Sequence, residues 1–221
     1  MKRKIKIAAS ILSADFGNLL ADIKSVEEAG ADMLHVDVMD GHFVPNISIG
    51  VPVVRSLKGR TRLPLDVHLM IENPEKYVKP FAEAGSDHLT FHVEIRAQIA
   101  RVIEDIKKLG IKPGLSLNPE TSAMRLEPYL DRIDSILVMT VSPGFGGQEL
   151  KQEAIDKISE LRGKIDRKRL KTEIAVDGGI NSANAGRLIS AGADILVAGT
   201  AVFGAEDRKK AVRALREAGD V

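Results

Sequence analysis

Glu28-Ala29-Gly30-Ala31-Asp32 closes an amphipathic run and leads straight into the apolar stretch Met33–Met39. The same punctuation returns in Glu83-Ala84-Gly85-Ser86-Asp87, ahead of His88–His92, and in Ser190-Ala191-Gly192-Ala193-Asp194, ahead of Ile195–Ala198. Leu109-Gly110 does the same before Pro113–Leu117. A glycine just past the last helical residue can take the left-handed conformation that caps a helix, because it has no Cβ to clash. Each segment therefore reads as a helix returning by a tight turn into a strand. Strands reached through intervening helices run parallel, so the repeat specifies an α/β fold with a parallel sheet.

Outward from these turns, short apolar runs alternate with longer amphipathic ones along the whole chain. The predicted strands are Ile5–Ala9, Met33–Met39, Leu65–Met70, His88–His92, Pro113–Leu117, Ser135–Met139, Glu173–Val176 and Ile195–Ala198. Helical periodicity covers Leu19–Ala29, Pro74–Ala84, Ala97–Leu109, Gln152–Leu161, Ala183–Ala191 and Arg208–Ala218. The helix signals between the second and third strands, and after the fifth, are shorter. About eight strand–helix units without a linker or composition break predict one domain over residues 1–221.

Eight parallel strands can close into a barrel or stay open as a doubly wound sheet. After the first strand comes Ser10-Ile11-Leu12-Ser13, where a dinucleotide-binding open sheet would carry G-x-G-x-x-G. The polar residues of chemical interest fall at strand ends, which is where barrels keep their active groups. The expected fold is a (β/α)8 TIM barrel.

Composition narrows the chemistry. A hydrophobic fraction of 44% and a charged fraction of 29% belong to an ordinary globular chain. The formal net charge of +1 gives no reason to expect nucleic acid or an acidic membrane surface as partner. With no cysteine, disulfides and thiolate metal sites are excluded, so a transition metal would take histidine and carboxylate ligands. No apolar window reads as a signal peptide core or a bilayer span, and a cytoplasmic location is expected.

In His35-Val36-Asp37-Val38-Met39-Asp40-Gly41, strand alternation sends His35, Asp37 and Met39 to one face and Val36 and Val38 to the other. Asp66-Val67-His68-Leu69-Met70 repeats the pattern in the next strand. Buried histidine and aspartate need partners, and Asp177, ending the seventh strand, brings another carboxylate. His35, Asp37, His68 and Asp177 form a candidate site for one divalent transition metal (Zn, Fe, Mn or Co), with donors poorly suited to Mg or Ca. Asp66 shares the face but lies deeper, where it could orient a ligand. Asp37 and Asp177, from strands well apart around the ring, are candidate catalytic groups that could remove a proton from one face of a substrate and return one to the other. Met39, Met70 and Met139 end three strands on the inner face and would form a dry collar.

Ser142-Pro143-Gly144-Phe145-Gly146-Gly147-Gln148 follows the sixth strand, Gly178-Gly179 the seventh and Gly199-Thr200 the eighth. Glycines let backbone N–H groups approach an anion, and barrels often bind phosphate in the loops after strands seven and eight. Three such loops at consecutive strand ends predict a phosphate site. His42 and His88 read as structural, and Asp40 and Gly41 as a turn. His92 and Glu94 could line the mouth, and Asn118 is either a polar contact or a turn residue.

Together these residues resemble the ribulose-phosphate 3-epimerase family over nearly the whole chain. The resemblance rests on Ser10–Phe16, His35–Asn46, Asp66–Met70, Phe91-His92-Val93-Glu94, Leu117-Asn118-Pro119, Pro143–Gln148 and Val176–Ile180. It implies a barrel of the ribulose-phosphate-binding type that interconverts ribulose 5-phosphate and xylulose 5-phosphate at carbon 3 through a metal-stabilised enediolate. It further implies that His35, Asp37, His68 and Asp177 bind the metal, with the two aspartates as acid and base. Ser10, His68 and Asp177 would contact the substrate. Backbone around Gly144, Phe145, Gly146, Gly147, Gly178, Gly179, Gly199 and Thr200 would hold its phosphate. A homo-oligomer working in the pentose phosphate pathway is also implied. Three positions depart from the family pattern: Ser142 in place of Asn, Thr200 in place of Ser, and Ala175 in place of Glu.

Two other readings fit the same residues: a 3-epimerase of a six-carbon ketose phosphate such as allulose 6-phosphate, and a non-catalytic sugar-phosphate-binding protein. A Schiff-base aldolase would need a lysine at a strand end, and the sixth strand ends in Met139-Thr140.

Overall fold

A computed structural model of the chain describes residues 3–144 and 150–219. Eight strands close a barrel in sequential order, each parallel to its neighbours: β1 (Lys6–Ser10), β2 (Met33–Met39), β3 (Leu65–Met70), β4 (His88–His92), β5 (Lys112–Leu117), β6 (Ser135–Met139), β7 (Glu173–Asp177) and β8 (Ile195–Ala198). The ring closes where Lys6 of β1 aligns with Ile195 of β8. Around it lie α1 (Leu19–Glu28), α2 (Val51–Leu57), α3 (Val78–Ala84), α4 (Ile99–Lys108), α5 (Gln152–Arg167), α6 (Ala185–Ala191), α7 (Thr200–Phe203) and α8 (Arg208–Glu217). The predicted TIM barrel is the observed fold.

Differences in helix bounds have local causes. The expected helix Pro74–Ala84 divides into a 3₁₀ turn, Pro74–Lys76, and α3. α5 runs past the predicted Leu161 to Arg167, because Ala154, Ile158, Leu161 and Ile165 keep one buried face going at helical spacing. After β5 no α-helix forms. A 3₁₀ segment, Ala123–Tyr129, takes its place, with Pro128 inside it to remove a backbone donor.

Strand alternation divides the barrel into two chemically different layers. Outward residues such as Val36, Val38, Val67, Leu69, Leu89 and Phe91 pack beneath the helices in the main core. Inside the barrel, β6–β8 and β1 contribute a dry cluster that includes Ala8, Leu137, Met139, Ala175, Ile195 and Val197. The other inner wall, from β2 to β5, is polar and buried: His35, Asp37, Asp66, His68, Thr90, His92 and Ser116. Polar groups so placed must satisfy one another, and that requirement shapes the site.

The repeated turns do more than reverse the chain. Gly30, Gly85 and Gly192 take positive φ angles of 89°, 107° and 127°. The aspartate that follows in each repeat is bonded to the neighbouring strand. Asp32 accepts from the Ile7 N–H, Asp87 from Leu65 and Asp194 from Ile174, each at 2.8 Å. The same aspartates donate their own N–H groups to the carbonyls of those residues. The Gly-x-Asp unit thus fixes the register of three strand pairs at the amino end of the barrel. Reading these segments as good turns alone underestimates them.

Candidate active site

The four residues of the proposed metal set meet at the carboxyl end of the barrel. His35, Asp37, His68 and Asp177 each present one donor atom, and those atoms lie within 4.8 Å of one another. β2 delivers His35 and Asp37 two residues apart on one face, β3 delivers His68 in register with Asp37, and β7 ends on Asp177. Both imidazoles are fully buried.

Each side chain is held from behind. The His35 Nδ1 is 2.8 Å from Asp66 Oδ2, the bracing role suggested for Asp66. Ser10 donates its hydroxyl to Asp37 Oδ2 at 2.8 Å, and the other oxygen, Oδ1, lies 3.1 Å from His68 Nδ1. Ser48 donates to the Asp37 carbonyl at 2.6 Å and pins the end of β2. The Asp177 carbonyl accepts from the Thr140 hydroxyl at 3.0 Å.

The electrostatics separate the two aspartates. Burial alone would raise Asp37, but the charges and hydrogen bonds of His35 and His68 outweigh it and hold the carboxyl well below the usual range. Asp177 keeps a partial opening to the mouth, yet desolvation, and then the nearby Asp37 charge, push it up to about 7. For His35, burial is outweighed by the Asp37 and Asp66 carboxylates, so its imidazole is raised well above 6.5. Burial lowers His68 to about 4, and the proximity of His92 and His35 adds to the effect.

Two imidazole nitrogens and two carboxylates are a donor set suited to a divalent transition metal. His35 Nε2 is buried without a hydrogen-bond partner, although Asp37 Oδ1 lies 3.2 Å away. A buried ring nitrogen of this kind, pointed among carboxylates, fits a ligand to a cation.

Above this centre opens a cleft of about 370 Å³ whose lining includes Ser10, Asp37, Asp177, Met39, Met70 and Met139. All three collar methionines are present in it. Gly144, Gly178, Gly179, Gly199 and Thr200 line it as well, whereas Phe145, Gly146 and Gly147 lie outside the described residues. His68 sits beneath the cleft and is not among its lining residues. Gly178, at φ 120°, would place a Cβ 2.5 Å from Val141 Cγ2, and a Cβ on Gly199 would lie 2.5 Å from Ser13 Oγ. Gly178, with its positive φ, requires glycine to bring backbone to the cleft wall, and at Gly199 a side chain would displace the Ser13 hydroxyl. Asn46 bridges the mouth by donating to the Gly144 carbonyl at 2.8 Å.

Two further partners lie behind His68. Its Nε2 is 2.9 Å from His92 Nε2, and His92 Nδ1 is 3.2 Å from Glu94 Oε2. Neither lines the cleft, as sequence reading had allowed. Glu94 also accepts the Asn118 N–H at 2.8 Å. Burial would raise Glu94, but the His92 bond leads a set of hydrogen bonds that lowers it to about 2. Ala175 faces the dry inner cluster, so no polar group stands there beside the metal set.

Fold and cleft together describe a (β/α)8-barrel protein with a carboxylate–imidazole centre able to hold a cation. Comparison with known proteins makes that class specific. Residues 6–203 match the ribulose-phosphate 3 epimerase family. The ribulose-phosphate 3-epimerase of Bacillus subtilis is 51% identical over 213 residues, covering 96% of this chain and 98% of that protein. The enzyme of the same name from Methanocaldococcus jannaschii is 50% identical, covering 97% and 91%. Among solved structures, a mutant tryptophan synthase α-subunit from Pyrococcus furiosus superposes over 100% of both chains with a TM-score of 0.71 at 15% identity, a likeness of fold alone. The chain belongs to the ribulose-phosphate 3-epimerase family and is an isomerase. No helix among the described residues is long and apolar enough to cross a membrane.

Proposed function

We propose that this protein interconverts D-ribulose 5-phosphate and D-xylulose 5-phosphate by moving a proton at carbon 3. The observation that carries the proposal is the placement of Asp37 and Asp177. They come from β2 and β7, line one cleft, and present donor atoms within 4.8 Å. The relatives in Bacillus subtilis and Methanocaldococcus jannaschii, named ribulose-phosphate 3-epimerases, support a ribulose phosphate as substrate.

One aspartate, ionised, takes the carbon-3 proton. The C–H electron pair moves toward the carbon-2 carbonyl and gives an enediolate. The other aspartate, carrying a proton, delivers it to the opposite face of carbon 3, and the carbonyl re-forms. Without metal, Asp37 is held ionised and Asp177 is raised to about 7, so the two carboxyls already differ in their hold on a proton. Ser10 orients Asp37 through Oδ2. The collar of Met39, Met70 and Met139 excludes water from the reacting carbon, and the glycine turns around Gly144, Gly178 and Gly199 offer backbone to the phosphate. A divalent transition metal held by His35, Asp37, His68 and Asp177 would supply positive charge beside the substrate oxygens.

The test is steady-state turnover of ribulose 5-phosphate and of allulose 6-phosphate on protein stripped of metal and then reloaded. The five-carbon substrate should be preferred, and chelation should abolish turnover until a divalent metal is restored. Preference for the six-carbon substrate, or undiminished activity after chelation, would contradict the proposal.

A further inference from the structure

Three contacts run in series from the centre into β4. Asp37 Oδ1 faces His68 Nδ1 at 3.1 Å, His68 Nε2 faces His92 Nε2 at 2.9 Å, and His92 Nδ1 faces Glu94 Oε2 at 3.2 Å. Both ends are carboxylates, which when ionised can only accept. Each contact needs one proton or cation between its two atoms, so three are required. Two neutral imidazoles supply two.

The candidate cation site, at the Asp37 end, decides which contact goes without a proton. The Glu94 carboxylate takes the proton on His92 Nδ1, so His92 Nε2 is left as an acceptor. A proton on His68 Nε2 fills the contact with that acceptor, and the His68 Nδ1 lone pair then faces the Asp37 carboxylate. Two acceptors 3.1 Å apart repel unless a cation lies against both. The other two arrangements leave the gap away from any cation site: protons on both Nδ1 atoms set two lone pairs facing at His68 Nε2 and His92 Nε2, and protons on His68 Nδ1 and His92 Nε2 leave a bare nitrogen against Glu94.

We propose that His92 and Glu94 are positioning residues that fix the His68 tautomer, so that Nδ1 is the atom offered to the metal. This rests on the metal site of the proposed function. The two ligand imidazoles are then set by carboxylates in different ways. Asp66 acts directly on His35 Nδ1 and leaves Nε2 for the cation, whereas Glu94 acts on His68 through an intervening ring. The surroundings keep the relay rigid. His68 and His92 are fully buried, with ring centroids 5.0 Å apart, and Phe43 packs on His92 at 4.6 Å. The Asn118 N–H holds the far oxygen of Glu94 at 2.8 Å.

The test combines ¹⁵N-histidine spectra of the full chain, with and without Zn²⁺, and chelator competition for Zn²⁺. The spectra should show His92 protonated at Nδ1 and His68 at Nε2. His92→Leu should weaken Zn²⁺ binding about 10–100-fold, the range for loss of a group that orients a ligand. His92→Gln, whose amide oxygen can still accept from His68 Nε2, should recover part of that loss. Glu94→Gln should fall between wild type and His92→Leu. A wild-type spectrum with His68 protonated at Nδ1 would overturn the relay whether or not any variant folds. So would a folded His92→Leu that binds Zn²⁺ as tightly as wild type. Failure of the wild type to bind Zn²⁺ at all would instead overturn the metal site itself.

Discussion

Metal loading should displace a proton from Asp177, and the number displaced should depend steeply on pH. Without metal, desolvation and the Asp37 charge lift this carboxyl from 3.8 to about 7. At pH 6 it would be about nine-tenths protonated and at pH 8 about one-tenth, so roughly 0.8 more protons should leave at the lower pH. A metal must displace that proton to reach the carboxylate, which by itself weakens apparent binding about tenfold at pH 6 relative to pH 8. His35 is also raised, its burial outweighed by the Asp37 and Asp66 carboxylates, so a proton lost from its ring adds to the count. His68, lowered to about 4, is neutral throughout. The part of the difference between the two pH values that Asp177→Asn removes is the share of Asp177. Calorimetric titration with Co²⁺, in buffers of different ionisation enthalpy, counts the protons directly. Equal release at pH 6 and pH 8 would refute the reasoning, since an aspartate near 3.8 is ionised at both.

Other substitutions probe the supports of the site. Asp66→Ala removes the acceptor of His35 Nδ1 and should lower Co²⁺ affinity about 10–100-fold in chelator competition. Gly178→Ala forces a Cβ against Val141 and Thr140 at a φ of 120°. It should cost about 1–3 kcal/mol in thermal unfolding and raise KM for the phosphorylated substrate, so a wild-type KM would count against a phosphate role for this turn. Lys157 caps the carbonyls of Asn118, Pro119 and Thr121. Lys157→Met should destabilise the protein by about 1–3 kcal/mol and speed hydrogen exchange between residues 118 and 121. Unchanged exchange there would show that the loop holds itself.

The barrel was legible because its signals are local and repeated. Glycine caps, aspartates and apolar runs recur at each helix-to-strand return, and all eight strands lie where periodicity predicts them, within a residue or two. The clustering of His35, Asp37 and His68 was legible from the His-x-Asp and Asp-x-His alternation in β2 and β3. Other features depend on proximity across the barrel. Nothing in the spacing of His92 and Glu94 shows that they stand behind His68 and outside the cleft. The aspartates of the repeated turns bond to the strand just before them, a contact that the turn motif alone does not show. The split between Asp37 and Asp177 arises from burial and mutual charge, which residue types alone do not reveal.

The most direct test of the two-aspartate scheme follows epimerisation and carbon-3 proton exchange in deuterated water for Asp37→Asn and Asp177→Asn. Each variant is to be assayed with its metal content confirmed. The scheme predicts that neither metal-loaded variant epimerises ribulose 5-phosphate, because each lacks the proton carrier for one face. Retained epimerisation in either variant, with deuterium entering carbon 3 at the wild-type rate, would contradict it.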